Sequence, residues 1–165
     1  MIKDKIRCIK LYRDQIKFIR EINFKGKCHF KSGCLVIEGY LDCNNNKLTN
    51  LPDNLVVKGN LDCSYNQLTS LPDNLVVKGA LCCYINQLTE LPDNLVVKGD
   101  LSCWNNQLTE LPNNLVVEGH LYCNNNQLTR LPDNLVVKGY LNCWENKIKL
   151  KLPKDAKIGG KFHDR

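Results

Sequence analysis

A nine-residue block, Leu-Pro-Asp-Asn-Leu-Val-Val-Lys-Gly, begins at Leu51 and returns unchanged at Leu71, Leu91 and Leu131; at Leu111 it returns with Asn113 and Glu118 substituted. The spacing is 20 residues throughout. A unit of that length is too short to enclose a core of its own, so each turn of chain buries its apolar side by stacking on the next. The repeat therefore predicts a solenoid.

Within one unit, the residues at 55, 57, 61 and 63 are apolar and alternate with mostly polar neighbours, the period of a half-buried strand. Gly59 and its equivalents Gly39, Gly79, Gly99, Gly119 and Gly139 fall on the inward phase and predict a bend or bulge between two faces. Val56 breaks the polar phase, and is expected to pack partly at a corner. Pro52 denies the unit a helix and starts a turn. Asn66, with Asn46, Asn86, Asn106, Asn126 and Asn146, stands where a side-chain amide can bond the backbone of its own and neighbouring turns, and predicts an asparagine ladder. Cys43, Cys63, Cys83, Cys103, Cys123 and Cys143 share one inward column, which reads as small buried apolar side chains in a reducing compartment. Cys8, Cys28, Cys34 and Cys82 show no pairing pattern, and without a Cys-x-x-Cys pair no metal site is expected.

Leu61-x-Cys63-x-x-Asn66-x-Leu68, followed by Leu71-Pro72, resembles the core of a leucine-rich repeat of the short, 20-residue class found in bacterial effectors, and it recurs across residues 35–148. One departure is Lys58, where the family usually has a leucine; Leu55 and Val57 supply apolar contacts instead. The resemblance implies a mainly β, right-handed solenoid of 20-residue rungs, with parallel short strands on a concave side used for binding proteins. Effectors with such repeats can append a cysteine-dependent ubiquitin ligase domain, and no such segment occurs in this chain.

The ends read as degenerate rungs. Ile22 to Phe30 maps onto Leu55 to Cys63 with Lys25-Gly26 in register, and Ala156 to Phe162 repeats the pattern after a one-residue insertion. Ile2, Ile6, Ile9, Tyr12, Ile16, Ile19 and Ile22 recur at three- and four-residue steps and predict an amphipathic capping helix. Residues 1–165 thus read as a single domain: a capping helix over 1–22, a degenerate rung over 22–34, repeats over 35–150 and a degenerate rung over 151–165.

Charge is divided along the chain. Residues 1–31 hold ten Lys or Arg against three Asp or Glu, a balance of +7; residues 149–165 hold six against two, +4; residues 32–148 hold seven against twelve, −5. The basic ends suggest a lesser possibility, contact with an anionic surface, while the acidic repeats repel phosphate backbones and exclude nucleic acid as their partner. The N-terminus is charged where a signal peptide needs an apolar stretch, and no apolar run spans a bilayer, so the expectation is a cytoplasmic protein without membrane insertion. Histidine occurs only at 29, 120 and 163, no glycine-rich phosphate loop is present, and the acids are spread along the rungs, so neither an enzyme nor a cofactor is expected.

The aromatics carry the functional expectation. Seven of the eight Tyr and Trp residues (Tyr40, Tyr65, Tyr84, Trp104, Tyr122, Tyr140, Trp144) lie in the freely varying columns, where solvated Lys, Glu and Ser would otherwise dominate. Exposed aromatics are typical of interface hot spots. With rungs about 4.8 Å apart they should form one patch bordered by Asp42, Asp62, Asp100, Glu90, Glu110 and Glu145, with His120 in the same columns. The reading is a protein-interaction module, expected to be a monomer, that binds a partner bearing a basic patch through Tyr40, Asp42, Asp62, Tyr65, Tyr84, Asp100, Trp104, His120, Tyr122, Tyr140, Trp144 and Glu145. It would act as an effector or virus-encoded inhibitor by occupying a surface. Two alternatives stay open: a structural or ice-binding-like solenoid, from the threonine column at 49, 69, 89, 109 and 129, and a consensus-designed repeat scaffold, from the near-identity of the rungs.

Overall fold

The period of 20 becomes the register of two parallel sheets. The structure, a computed structural model, describes residues 2–93, 95–147 and 149–164, with side chains from residue 10 onward. A helix, α1 (Ile2–Glu21), precedes short strands throughout. One sheet runs through β1 (Cys28–Lys31), β2 (Cys34–Ile37), Leu55–Val57, Val76–Val77, Val96–Val97, Val116–Val117, Val136–Val137 and Lys157–Ile158; it is termed the valine sheet. The other, the aromatic sheet, runs through Leu41–Asp42, Leu61–Asp62, Leu81–Cys82, Leu101–Ser102, Leu121–Tyr122, Leu141–Asn142 and Phe162–His163. From β2 on, the pairing is parallel in both, with Leu61 opposite Leu81 and Val117 opposite Val137. At the C-terminal end the step lengthens by one residue, Val136 opposite Lys157 and Leu141 opposite Phe162, which is the foreseen insertion.

The core is the space between these sheets and a third, irregular side of each rung. Leu95, Val97, Leu101, Cys103, Leu108 and Leu111 of one rung are at most 6% exposed, and their equivalents stack above and below. Each buried leucine contributes on the order of 1.5–3 kcal/mol of transfer free energy. The third side is tied by backbone bonds between rungs, such as Gln87 N–H to Leu68 O at 2.9 Å and Gln107 N–H to Leu88 O at 2.9 Å.

Between the two strands of a rung the chain bends at the glycine column. Gly99 N–H donates to Gly79 O at 3.1 Å, and a Cβ on Gly99 would stand 2.7 Å from the Ala80 nitrogen. The column is glycine because one backbone lies against the next. Exposure of the outward valine beside it varies along the array: Val36 is 7% exposed and Val56, expected to pack partly at a corner, is half-buried. Val76 and Val96 point outward and are 43% and 46% exposed, a valine stripe along the outer face of their sheet. Beside the stripe Lys58 pairs with Glu38 at 2.9 Å, and Lys98 and Lys138 both grip Glu118, holding its carboxyl at about 2.

The N-terminal end departs from the sequence reading in two ways. Ile22 to Phe30 does not continue the rungs: β1 runs antiparallel to β2, Cys28 opposite Ile37, through a tight turn at Ser32 (φ 50°) and Gly33 (φ 78°). A two-residue turn reverses the chain, whereas a parallel step needs a whole rung to return. The helix end packs Ile19 and Ile22 of the predicted stripe against the core but turns Tyr12 outward. Among the described side chains of α1, Gln15 and Phe18 are the most buried, at 1% and 5%, while Tyr12 is 48% exposed and lies against Phe30 with ring centroids 4.4 Å apart. Gln15 is tolerated there because its amide donates to Gly33 O at 3.1 Å and to Asp53 O at 2.9 Å, leaving neither buried carbonyl unbonded. The side chains of Ile2, Ile6, Cys8 and Ile9 lie outside the described residues.

Candidate partner-binding face

Position along a rung sets which side chains reach this face. In the aromatic sheet Leu101 and Cys103 point inward, so residues 100, 102 and 104 emerge on the other side, as do their equivalents 20 residues away. The strand then ends in a left-handed turn, occupied by Asn45, Tyr65, Ile85, Asn105, Asn125 and Glu145, all with φ between 51° and 53°. The next residue is the asparagine of the ladder. Asn106 Nδ2 donates to Cys83 O and Cys103 O at 3.1 Å each, and Asn126 Oδ1 accepts from Leu108 N–H at 3.0 Å. From Asn66 to Asn146 each ladder amide ties adjacent rungs under the strand end, so the turn before it is held firmly.

The aromatic side chains gather into two clusters rather than the single patch expected from the column spacing. In the first, Tyr65 meets Tyr84 edge to face at 5.4 Å, and Tyr84 stacks on Trp104 at 4.6 Å with planes 8° apart. In the second, Tyr122 lies 6.1 Å from both His120 and Tyr140, and Tyr140 lies 5.3 Å from His163. Tyr40 and Trp144, 53% and 39% exposed, join neither. The reason for the division is steric. Asn105 and Asn124 follow Trp104 without a ring to continue the stack, and the second cluster uses the columns at 60 and 62 instead of 64.

The polar members of the predicted site have structural tasks as well. Asp62 Oδ1 accepts from Ser64 N–H at 3.0 Å and from the Ser64 hydroxyl at 2.5 Å, covering Ser64 to 1% exposure. Asp100 Oδ1 accepts from His120 N–H at 2.7 Å, and His120 Nδ1 accepts from Tyr140 N–H at 2.8 Å, so these side chains bridge rungs along the sheet edge. Asp42 likewise accepts from Asn44 N–H at 3.1 Å. Glu145 is exposed beside Trp144. Glu90 and Glu110 lie elsewhere, beyond the threonine column on the irregular side, where Arg130 reaches Glu110 at 3.4 Å. Two residues of the face were missed: Ile85, next to Tyr84, and His163, which the insertion carries out of the 20-residue count.

The cysteine column lies beneath this face. Burial pushes the Cys43, Cys103 and Cys143 thiols up to about 12, and raises those of Cys63, Cys83 and Cys123 well above the ordinary range. Thiols so held are neutral packing groups. Among the described residues no cysteine is in a disulfide, and no cluster of three or more His, Cys, Asp or Glu could hold a metal ion. No described helix is long and apolar enough to cross a membrane. The hollows beside α1, lined by Leu11, Phe18, Leu48 and Pro52 among others, lie at the capped end and not on the aromatic face.

Comparison with known proteins agrees with this architecture. No protein-family model and no curated protein matches the chain. The solved structure of YopM from Yersinia enterocolitica WA-314 is similar with a TM-score of 0.50 and 36% sequence identity, covering 72% of this chain and 28% of YopM. YopM from Yersinia pestis, described as a leucine-rich effector protein, gives a TM-score of 0.36 and 19% identity, covering 72% of this chain and 50% of that one. The chain therefore spans about a quarter and a half of the lengths of these two structures. The fold is a solenoid of short leucine-rich repeats that resembles bacterial effector repeats.

Proposed function

We propose that this leucine-rich-repeat solenoid, by fold a protein-interaction repeat module, binds a protein partner through the outer face of its aromatic sheet and acts by occupying the partner's surface, in the manner of an effector or inhibitor. The observation that carries the reading is the placement of the rings. Tyr40, Tyr65 and Trp144 are 39–53% exposed, and Tyr84, Trp104, Tyr122 and Tyr140 are half-buried against one another on that face. Rings preassembled in this way present apolar area at low entropic cost, which is what interface hot spots use. Asp42, Asp62 and Asp100 border them, so a partner with a basic patch is favoured and a phosphate backbone is not. Six unpaired buried thiols suit a reducing compartment such as the cytoplasm.

Capture of partners from cell lysate by the wild type, and by a variant carrying Trp104→Ala and Trp144→Ala, tests the reading. Each tryptophan should account for about 2 kcal/mol of binding while the melting temperature stays nearly unchanged. Alanine at Lys98, on the valine sheet, should alter neither. Identical partner lists for the wild type and the double variant would end the proposal.

A further inference from the structure

The left-handed turn after the aromatic-sheet strands holds asparagine at Asn45, Asn105 and Asn125 and glutamate at Glu145. In the two consecutive rungs between, it holds Tyr65 at φ 53° and Ile85 at φ 51°. Asparagine enters this region readily, but a β-branched side chain there is a steric outlier. Strain of this kind persists where the side chain is worth more than the conformation costs, which makes it a pointer to function. Both residues adjoin the Tyr65–Tyr84–Trp104 stack: Tyr65 belongs to it, and Ile85 follows Tyr84 directly.

The charges around the stack point one way. From Tyr40 to Glu145, the outward columns of the aromatic sheet and its turn contain no Lys or Arg. Asp42, Asp62 and Asp100 have no cation within ion-pair distance among the described residues, whereas on the other sides Glu38 pairs with Lys58, Glu110 with Arg130 and Glu118 with both Lys98 and Lys138. Asp62 and Asp100 are fixed through Oδ1, by Ser64 and by His120 N–H, and their other oxygen makes no hydrogen bond among the described residues.

We infer that the rungs from Tyr65 to Trp104 seat an arginine-bearing extended segment of the partner protein, the guanidinium lying over the Tyr84–Trp104 stack and paired with Asp62 or Asp100, and its aliphatic stem lying against Tyr65 and Ile85. A planar guanidinium both stacks on rings and forks onto a carboxylate, which an ammonium does not. This inference rests on the aromatic face being the interface, and it places the arginine site at the first cluster of that face.

The test titrates the full chain with oligoarginine, oligolysine and oligoglutamate peptides of equal length, following heat of binding and tryptophan fluorescence, with the melting temperature of every variant measured alongside. Oligoarginine should bind more tightly than oligolysine, and oligoglutamate should not bind. Ile85→Asn should raise the melting temperature by relieving the turn and yet weaken oligoarginine about tenfold or more; Asp62→Asn with Asp100→Asn should weaken it similarly, and Lys98→Ala, on the valine sheet, should leave it unchanged. An Ile85→Asn variant that gains stability and keeps its affinity overturns the inference, as does equal binding of oligoarginine and oligolysine that ignores Trp104→Ala. Lysate capture that depends on Trp104 and Trp144, with no oligoarginine binding, overturns this inference alone. Capture indifferent to both tryptophans overturns the interface reading and this one with it.

Discussion

At the scale of single residues, two columns show how little freedom a rung has. Asn106 meets two carbonyls of adjoining rungs, Cys83 O and Cys103 O, and accepts from Leu88 N–H at 3.0 Å. Alanine there leaves three backbone groups without partners in a place water reaches poorly, and an unsatisfied buried group costs about 1–3 kcal/mol. Asn106→Ala should therefore lower the urea midpoint by an amount equivalent to about 3 kcal/mol or more, with little change in slope, while Asn105→Ala, one residue earlier and exposed, should cost far less. The thiols give a pH-dependent counterpart. Cys103 is raised from 9.0 to about 12 by burial, so the folded chain keeps its proton where the unfolded chain loses it. Stability from this column is complete below pH 9.0 and is lost as pH rises towards about 12. At pH 8 a thiol reagent should label the partly exposed Cys28 and Cys34 readily and Cys82 more slowly, since burial and Asp62 raise that thiol too; the six column cysteines should react only on unfolding. Early labelling of Cys103 in the native protein would contradict its packing role.

At the scale of elements, strands two or three residues long survive because the ladders beside them are continuous. The glycine column is the clearest case: each carbonyl accepts from the glycine of the next rung, and the approach leaves no room for a Cβ. Gly99→Ala would set a methyl 2.7 Å from the Ala80 nitrogen, a backbone atom that cannot swing aside. Overpacking against backbone costs about 1–3 kcal/mol, so the variant should melt at a clearly lower temperature. Gly39, with nothing within 4 Å of an added Cβ, should accept alanine at little cost. Comparable losses at both positions would mean that the column is glycine for another reason. The helix obeys the same accounting: Phe18 supplies apolar contact over the first rung, and Gln15 satisfies the carbonyls that the rung leaves open.

At the scale of the whole molecule, each rung touches only its neighbours, so stability is approximately a sum over rungs and interfaces. A defect in the middle costs two interfaces. Leu95 is 4% exposed at the centre of the array, and Leu95→Ala should cost about 2–5 kcal/mol by chemical denaturation. Thr89, on the exposed threonine column, should tolerate alanine nearly without loss, and equal effects at the two sites would mean that inward and outward phases are misassigned. That column is regular, but the next one carries Glu90, Glu110 and Arg130, with an ion pair across it. The apolar outer surface instead belongs to the two sheets, valine on one and ring clusters on the other.

The repeat itself made much of this legible. Because the same unit is written several times, the inward columns of Leu55, Val57, Leu61, Cys63 and Leu68, the asparagine ladder, the parallel register and the C-terminal insertion all follow from counting. Periodicity fixes which residues share a column, and a column in a parallel sheet is a line of neighbours. It does not fix how side chains in different columns meet across rungs, how the first rung closes, or what backbone a turn adopts. Those depend on rotamers, on a two-residue reversal at Ser32 and Gly33, and on the packing of one helix against an open end. The tertiary structure alone therefore decided that the rings form two clusters, that α1 buries Gln15 and Phe18 beside Ile19, and that Tyr65 and Ile85 are held in a left-handed turn. The ladder column from Asn46 to Asn146 marked a turn in the sequence, but the φ of the residue before it belongs to the folded backbone, where the ladder amide that follows holds the chain.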